Sequence, residues 1–242
     1  MKNIIVANWK MNPGSAKEAE TLFDSVKKGA KGADIVICPP FVYLPLLKGL
    51  ALGAQNCFWE EKGAYTGEIS PLMLKDMGID YVIIGHSERR KHFGETNEQI
   101  NKKIRKAMSV GLKAIMCVGE TKEEKEQGKK SEILTEQIEK GLEKLSKDEV
   151  KKIIIAYEPV WAIGTGDNCS VDETMSSILL IRQIISKIYN REAADGVKIL
   201  YGGSVNGENS GPYMKDAGAD GLLVGGASLK ADEFIKIVKS AN

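Results

Sequence analysis

Four polar residues stand where apolar runs end: Asn8 and Lys10 after Ile4-Ile5-Val6-Ala7, His86 after Tyr81-Val82-Ile83-Ile84, and Glu158 after Ile153-Ile154-Ile155-Ala156-Tyr157. A carboxylate can take a proton, an imidazole can donate or relay one, and an ammonium supplies fixed positive charge to a developing anion. Two more runs end in glycines: Gly202, Gly203 and Ser204 follow Val197–Tyr201, and Gly225 and Gly226 follow Gly221–Val224. Two such turns on adjacent strands predict backbone N–H groups gathered around a phosphate, hence a small phosphate ester as substrate. Taken singly, each feature has a plainer reading. A carboxylate past a strand is commonly a helix cap or surface charge, a lone lysine extends into solvent, a strand-end histidine is more often structural, and a glycine pair is a turn. At Glu158 the next residue weighs against the plain reading. Pro159 disfavours helical backbone before it and removes a donor, so the carboxylate belongs on an extended segment.

Competing motifs fail on particular positions. Gly85-His86-Ser87-Glu88-Arg89 begins like a nucleophile elbow, but arginine fills the fifth position, where the strained turn needs glycine. Gly164-Thr165-Gly166-Asp167-Asn168-Cys169 approaches a dinucleotide turn, yet it ends in cysteine and starts too far beyond its strand. His92 lies six residues from His86, the wrong spacing for a zinc pair on a helix, and no Walker lysine follows a suitable glycine loop. The residues therefore call for no metal and no nucleotide cofactor.

The acid, base and phosphate groups form one site only if the runs that precede them belong to one sheet. Apolar runs recur at Ile4–Ala7, Ile35–Cys38, Ala51–Ala54, Tyr81–Ile84, Ala114–Val118, Ile153–Tyr157, Val197–Tyr201 and Gly221–Val224. Most are continuous, as expected of parallel strands covered on both faces. Helix-start signals at Ser15/Glu18, Thr96/Gln99 and Ser170/Glu173 supply crossovers, and Leu134, Ile138, Leu142 and Leu145 carry helical spacing. The charged flanks of that last segment, residues 122–130 and 139–144, read as a solvated face without function. Eight strand-helix units in 242 residues, with no linker, predict a closed (β/α)8 barrel in a single domain spanning 1–242. An open doubly wound sheet is the competitor; both put chemistry beyond the carboxyl ends of the strands.

Bulk composition is consistent with a chain that is 43% apolar and carries 34 Lys plus Arg against 33 Asp plus Glu. A net charge of +1 gives no general reason to expect nucleic acid or an anionic membrane as partner. Four scattered cysteines form neither a disulfide framework nor a zinc pattern, which predicts reduced thiols in the cytoplasm. The opening run is too short for a signal-peptide core, and no run approaches a membrane span.

Asn8-Trp9-Lys10-Met11-Asn12, residues 85–90 around His86, residues 156–166 around Glu158, Tyr201-Gly202-Gly203-Ser204 and Leu223–Ser228 together resemble the triosephosphate isomerase family. The match follows chain order over nearly the whole length, and residues 54–56 and 63–69 resemble the same family's third-strand end and protruding third loop. The resemblance implies the TIM-barrel fold and a cofactor-free interconversion of dihydroxyacetone phosphate and D-glyceraldehyde 3-phosphate. It implies Glu158 as base, neutral His86 as electrophile and proton shuttle, Lys10 as positive charge, and Asn8 as an orienting group. Substrate would be bound by Asn8, Lys10, Gly164, Ser204, Gly225 and Gly226, with Ser87, Glu88 and Glu95 in support. Glu95 has an equally open reading as an ordinary surface charge ahead of the Thr96 cap.

By the same resemblance, residues 159–169 form a lid that closes over the substrate and dries a carboxylate that is a weak base in water. Asp167-Asn168-Cys169 stands where the family usually carries lysine first, a departure that bears on the lid's opening and closing rates, and Tyr65 replaces a frequent phenylalanine. The loop at 62–69 implies a homodimer, with Thr66 reaching toward Asn8 and Lys10 of a second copy. Other readings are a different phosphate-binding barrel isomerase or epimerase, which would lack the Glu158-Pro159-Val160-Trp161 lid, and a catalytically silent barrel used for binding.

Overall fold

The computed structural model of the chain describes residues 2–163 and 168–241. Eight strands, β1 (Ile4–Asn8), β2 (Asp34–Cys38), β3 (Ala51–Ala54), β4 (Tyr81–Ile84), β5 (Lys113–Val118), β6 (Ile154–Tyr157), β7 (Lys198–Tyr201) and β8 (Gly221–Val224), close into a barrel in sequence order. All neighbours are parallel, and Ile4 to Ala7 of β1 pair with Gly221 to Val224 of β8. That pairing excludes the open doubly wound sheet, whose edge strands stay apart.

Continuous apolar runs suit this closure because successive side chains point to opposite faces, and here both faces are covered. Ile4, Val6, Val36, Ile115, Ile154 and Leu200 belong to the cluster inside the barrel, while Ile5, Ala7, Ile37, Ile84, Ile155 and Ile199 pack in the layer beneath the helices. Burying one such side chain is worth roughly 1.5–3 kcal/mol, so a one-residue slip of any strand would be costly.

The outer layer comprises α1 (Ala16–Gly29), α2 (Pro71–Asp76), α3 (Ser87–Phe93), α4 (Asn97–Ser109), α5 (Lys122–Glu126), α6 (Lys130–Gly141), α7 (Lys147–Val150), α8 (Val171–Ile188), α9 (Arg191–Gly196), α10 (Ser210–Lys215) and α11 (Ala231–Ser240). The expected pattern of one helix per strand breaks between β2 and β3, where Phe41–Leu46, with Pro45 inside, makes only a 3-10 turn. A proline within the turn removes a donor that a longer helix would need.

The expected caps divide three ways. Ser15 accepts the Glu18 N–H, Thr96 and Gln99 form a complete reciprocal box, and Ser170 accepts the Glu173 N–H while the Glu173 carboxylate turns to Lys125 and Lys130 instead. Leu134, Ile138, Leu142 and Leu145 are all buried, although α6 stops at Gly141 and the last two lie beyond it. Asn8, expected just past β1, is its last residue, paired with Cys38. The cysteines Cys38, Cys57, Cys117 and Cys169 are free and buried; burial pushes the Cys57 thiol up to about 12 and Cys169 to about 11. Among the described residues no helix is long and apolar enough to cross a membrane.

Candidate active site

At the carboxyl ends of the strands lies a cavity of about 160 Å³ whose walls include Asn8, Lys10, His86, Glu158, Ser204, Gly225 and Gly226. Residues up to 218 positions apart in sequence, Asn8 and Gly226, therefore share one wall system, because the barrel puts every strand end on one rim. Ile163 lies on the same cavity. Gly164 and the lid residues through Asp167 fall outside the described residues.

Lys10 is held in place by its backbone. Its φ of 53° lies in the left-handed region, costly for a residue with a side chain. The Lys10 N–H donates to Asn8 Oδ1 at 3.0 Å and the Gln55 amide donates to the Lys10 carbonyl at 2.8 Å, so both sides of the strained residue are tied down. Its ammonium donates to Glu88 Oε1 at 2.6 Å.

His86 caps α3. The Glu88 N–H donates into His86 Nδ1 at 3.2 Å, so that nitrogen carries a lone pair and the ring proton sits on Nε2. Nε2 in turn lies 3.0 Å from Glu158 Oε1. Burial opposes a charged imidazole, but the Glu158 carboxylate outweighs it, and the His86 pKa is raised. The geometry at Nδ1 is that of the neutral tautomer, with its one N–H directed at Glu158.

Glu158 is 2% exposed, and the other oxygen, Oε2, accepts the Ser87 N–H at 3.0 Å. Burial disfavours the carboxylate; His86, the Ser87 N–H and Lys10 more than compensate and hold its pKa below the usual range. The Ser87 N–H is free to do this because it begins α3, where first-turn donors have no partner within the helix. Pro159 has extended backbone, and the Glu158 N–H continues the ladder to Val118 O at 2.7 Å, so the carboxylate sits on the extended segment expected from the proline.

Gly202 is glycine for a reason other than a turn. A Cβ there would lie 3.0 Å from Glu158 Cγ and 3.3 Å from the Tyr157 carbonyl oxygen. The glycine run after β7 thus makes room for the acid group. Gly225 and Gly226 begin the 3-10 turn Gly226–Leu229, whose leading N–H groups lack partners inside the turn.

Ser87 and Glu88 adjoin the cavity through these bonds, whereas Glu95 lies away from it. The surface-charge reading of Glu95 is overturned: it is buried, ion-paired to Lys103 and 3.6 Å from Arg89 Nε. Lys103 also donates to Asn56 at 2.8 Å, which repays part of the cost of burying two charges.

Glu120 escaped the sequence reading. It stands two residues past β5, as Lys10 does past β1 and His86 past β4, and that parallel was the available signal. It is fully buried and accepts the Tyr157 hydroxyl at 3.0 Å and the Trp161 indole N–H at 3.0 Å, at the first hinge of the expected lid. The charged flank at 122–130, expected to be only solvated, also reaches this place. Lys125 stands 3.3 Å over the Trp161 ring, and Lys125 and Lys130 both pair with Glu173. Among the described residues, no group of three or more His, Cys, Asp or Glu could hold a metal ion.

Such an arrangement, a buried carboxylate and a neutral imidazole facing an ammonium across a small cavity, suits proton transfer next to a carbonyl. The family model for triosephosphate isomerase matches residues 3–241. The triosephosphate isomerase of Dictyoglomus thermophilum is 53% identical, covering 99% of both chains. That of Caldanaerobacter subterraneus subsp. tengcongensis is 49% identical over 97% of this chain and 98% of its own, and that of Clostridium tetani 46% over 98% and 96%. With strand order, rim residues and full-length identity in agreement, the chain belongs to the triosephosphate isomerase family.

Proposed function

We propose that Glu158, His86 and Lys10 interconvert dihydroxyacetone phosphate and D-glyceraldehyde 3-phosphate in this cavity. The activity is triose phosphate isomerisation. Glu158 exchanges its bonds to His86 and Ser87 for the substrate and takes a proton from the hydroxymethyl carbon. The electron pair moves to form the enediolate double bond, and the carbonyl oxygen gains negative charge. His86 donates its Nε2–H to that oxygen, and Lys10 adds fixed positive charge. A proton then passes between the two oxygens through His86, and Glu158 returns its proton to the neighbouring carbon. Protons move and no net electrons are gained or lost, so the reaction asks for no redox cofactor.

Asn8 orients the Lys10 backbone, and Ser204, Gly225, Gly226 and Gly164 bind the phosphate. Ser87 and Glu88 hold Glu158 and Lys10 between turnovers, and Glu95 braces α3 from behind through Arg89. Residues 159–169 close as a lid; supporting this, Ile163 already borders the cavity and Trp161 is tethered to Glu120. Residues 1–242 act as one domain.

The working form is a homodimer through the 62–69 loop, with Thr66 of one copy near Asn8 and Lys10 of the other. Supporting this, Tyr65, Met11 and Phe93 are exposed apolar side chains, Tyr65 at 45% within the loop itself. The four unpaired thiols support a reducing, cytoplasmic setting. Neither nucleic acid nor membrane is a partner in this reading.

One observation carries the proposal: Lys10, His86 and Glu158 share a cavity with Ser204, Gly225 and Gly226. Turnover of D-glyceraldehyde 3-phosphate by purified protein, coupled to reduction of the ketone product and run with and without chelator, tests it. Equal turnover in both is expected. No turnover would leave the binding-barrel reading, and turnover only without chelator would require a metal.

A further inference from the structure

Gln137 lies on α6, in the outer layer, and does not border the active-site cavity. Its side chain is buried and makes a matched pair of bonds with one peptide: the Gly119 N–H donates to Gln137 Oε1 at 2.8 Å, and Gln137 Nε2 donates to the Gly119 carbonyl at 3.1 Å. Topology explains the need. Val118 and Glu120 turn their carbonyls toward β6, where they accept the N–H groups of Glu158 at 2.7 Å and Val160 at 3.1 Å. By alternation, the carbonyls of Cys117 and Gly119 face the β4 side. There β4 has ended at Ile84, paired with Met116, and the chain has left for α3. Cys117 O is met instead by Arg90 Nη2 at 3.2 Å, and Gly119 by the Gln137 amide, which offers the donor and acceptor of a missing strand.

The Gly119 peptide presses on the acid group's own backbone. A Cβ on Gly119 would fall 1.7 Å from the Glu158 carbonyl oxygen, so there is no slack between the two segments. The next residue is Glu120, which anchors Tyr157 and Trp161. We propose that Gln137 is a positioning residue for the isomerisation: by standing in for a β4 residue it fixes the Gly119 peptide, and through it both the backbone of Glu158 and the lid's first hinge at Trp161. This rests on the catalytic reading of Glu158 given above.

The test compares Gln137→Leu with Asn101→Leu. Asn101 is a second buried amide; it donates to the carbonyls of Gly141 at 3.0 Å and Glu143 at 2.8 Å, away from the cavity. Misplacing a catalytic group by a fraction of an ångström costs on the order of tenfold in rate, so Gln137→Leu should lower kcat about tenfold with KM within about threefold. Asn101→Leu should lose thermal stability but keep kcat. Similar kcat in both variants and the parent would overturn the proposal.

Gln137→Glu supplies a second readout and covers the case in which the leucine variant fails to fold. A protonated carboxyl can accept from and donate to Gly119, whereas a carboxylate cannot donate. Its kcat relative to the parent should fall as pH rises through the introduced acid's pKa; a flat ratio would sink the idea. The Trp161 indole N–H resonance, assigned by its loss in Trp161→Phe, should shift in both Gln137 variants and not in Asn101→Leu. That signal needs no substrate, so an inactive parent would refute the catalytic reading while leaving the positioning of Trp161 separately testable.

Discussion

Replacing Gly202 with alanine isolates the acid group from the phosphate site. The added methyl would sit 3.0 Å from Glu158 Cγ and 3.3 Å from the Tyr157 carbonyl oxygen, and the carbonyl is held because it accepts the Gly202 N–H at 2.8 Å. The backbone is the stiffer neighbour, so the carboxylate arm must yield by about 0.4–0.5 Å to restore ordinary carbon-carbon contact. A 1 Å error in such a group costs about 100-fold, so half that distance predicts about a tenfold loss of kcat, or about 1.4 kcal/mol of transition-state stabilisation. Gly202 is not among the glycines with left-handed backbone, so alanine adds crowding without backbone strain. Overpacking of about 1–3 kcal/mol, offset by about 0.4–1 kcal/mol from a stiffer unfolded chain, predicts a net loss near 1 kcal/mol. For a chain of this size that is a Tm lower by about 2–4 °C. The assay is kcat and KM for D-glyceraldehyde 3-phosphate beside the inhibition constant of glycerol 3-phosphate, a phosphate ester that cannot isomerise. An unchanged kcat would refute the reasoning. So would parallel losses in kcat and in glycerol 3-phosphate affinity, which would mean that Gly202 serves the phosphate turn instead.

Glu158→Gln should keep glycerol 3-phosphate affinity within about tenfold while losing at least about 100-fold in turnover, the usual share of general base catalysis; unaltered turnover would remove Glu158 from its role. In the same variant the His86 pKa, followed by NMR beside His92, should fall. The imidazole loses the charge that raises its pKa and keeps the burial that lowers it; a value at or above the parent's would contradict the geometry. The Glu158 pKa is lowered on folding, so its contribution to stability is complete above the ordinary glutamate value of ~4.3 and is lost as pH falls through the depressed one. Glu120→Ala strands the buried Tyr157 hydroxyl, at about 1–3 kcal/mol, and takes one partner from the half-buried Trp161 indole N–H, so urea denaturation should show a loss of at least about 1 kcal/mol. A Tyr65→Asp, Thr66→Asp variant should be largely monomeric by light scattering and slow in the coupled assay; a fully active dimer would exclude the 62–69 loop as the interface.

The strands were readable from local pattern because both barrel faces are apolar, and a doubly covered strand needs no polar alternation. Ala51–Ala54 has no β-branched or aromatic residue, yet it is β3, held by pairing with Val36 and Ile37 on one side and Tyr81 and Val82 on the other. Lys10, His86, Glu158, Ser204, Gly225 and Gly226 were legible because each stands within three residues of the end of its strand. Glu120 and Gln137 were not: the first stands between the fifth strand and the charged 122–130 stretch and was read with neither, and the second lies in a helix read for its apolar stripe.

Residue order alone determined which groups stand at the strand ends, that Pro159 keeps Glu158 off a helix, and that glycines follow β7 and β8. Tertiary structure decided what those groups face. Closure of β8 onto β1 brings Lys10 to Gly225, the early end of β4 leaves Gly119 to the side chain of Gln137, and the start of α3 gives Ser87 N–H to Glu158 and Glu88 N–H to His86. Charge state and position depend on such neighbours because hydrogen bonds and screening act over a few ångströms of space, and separation along the chain does not measure that distance.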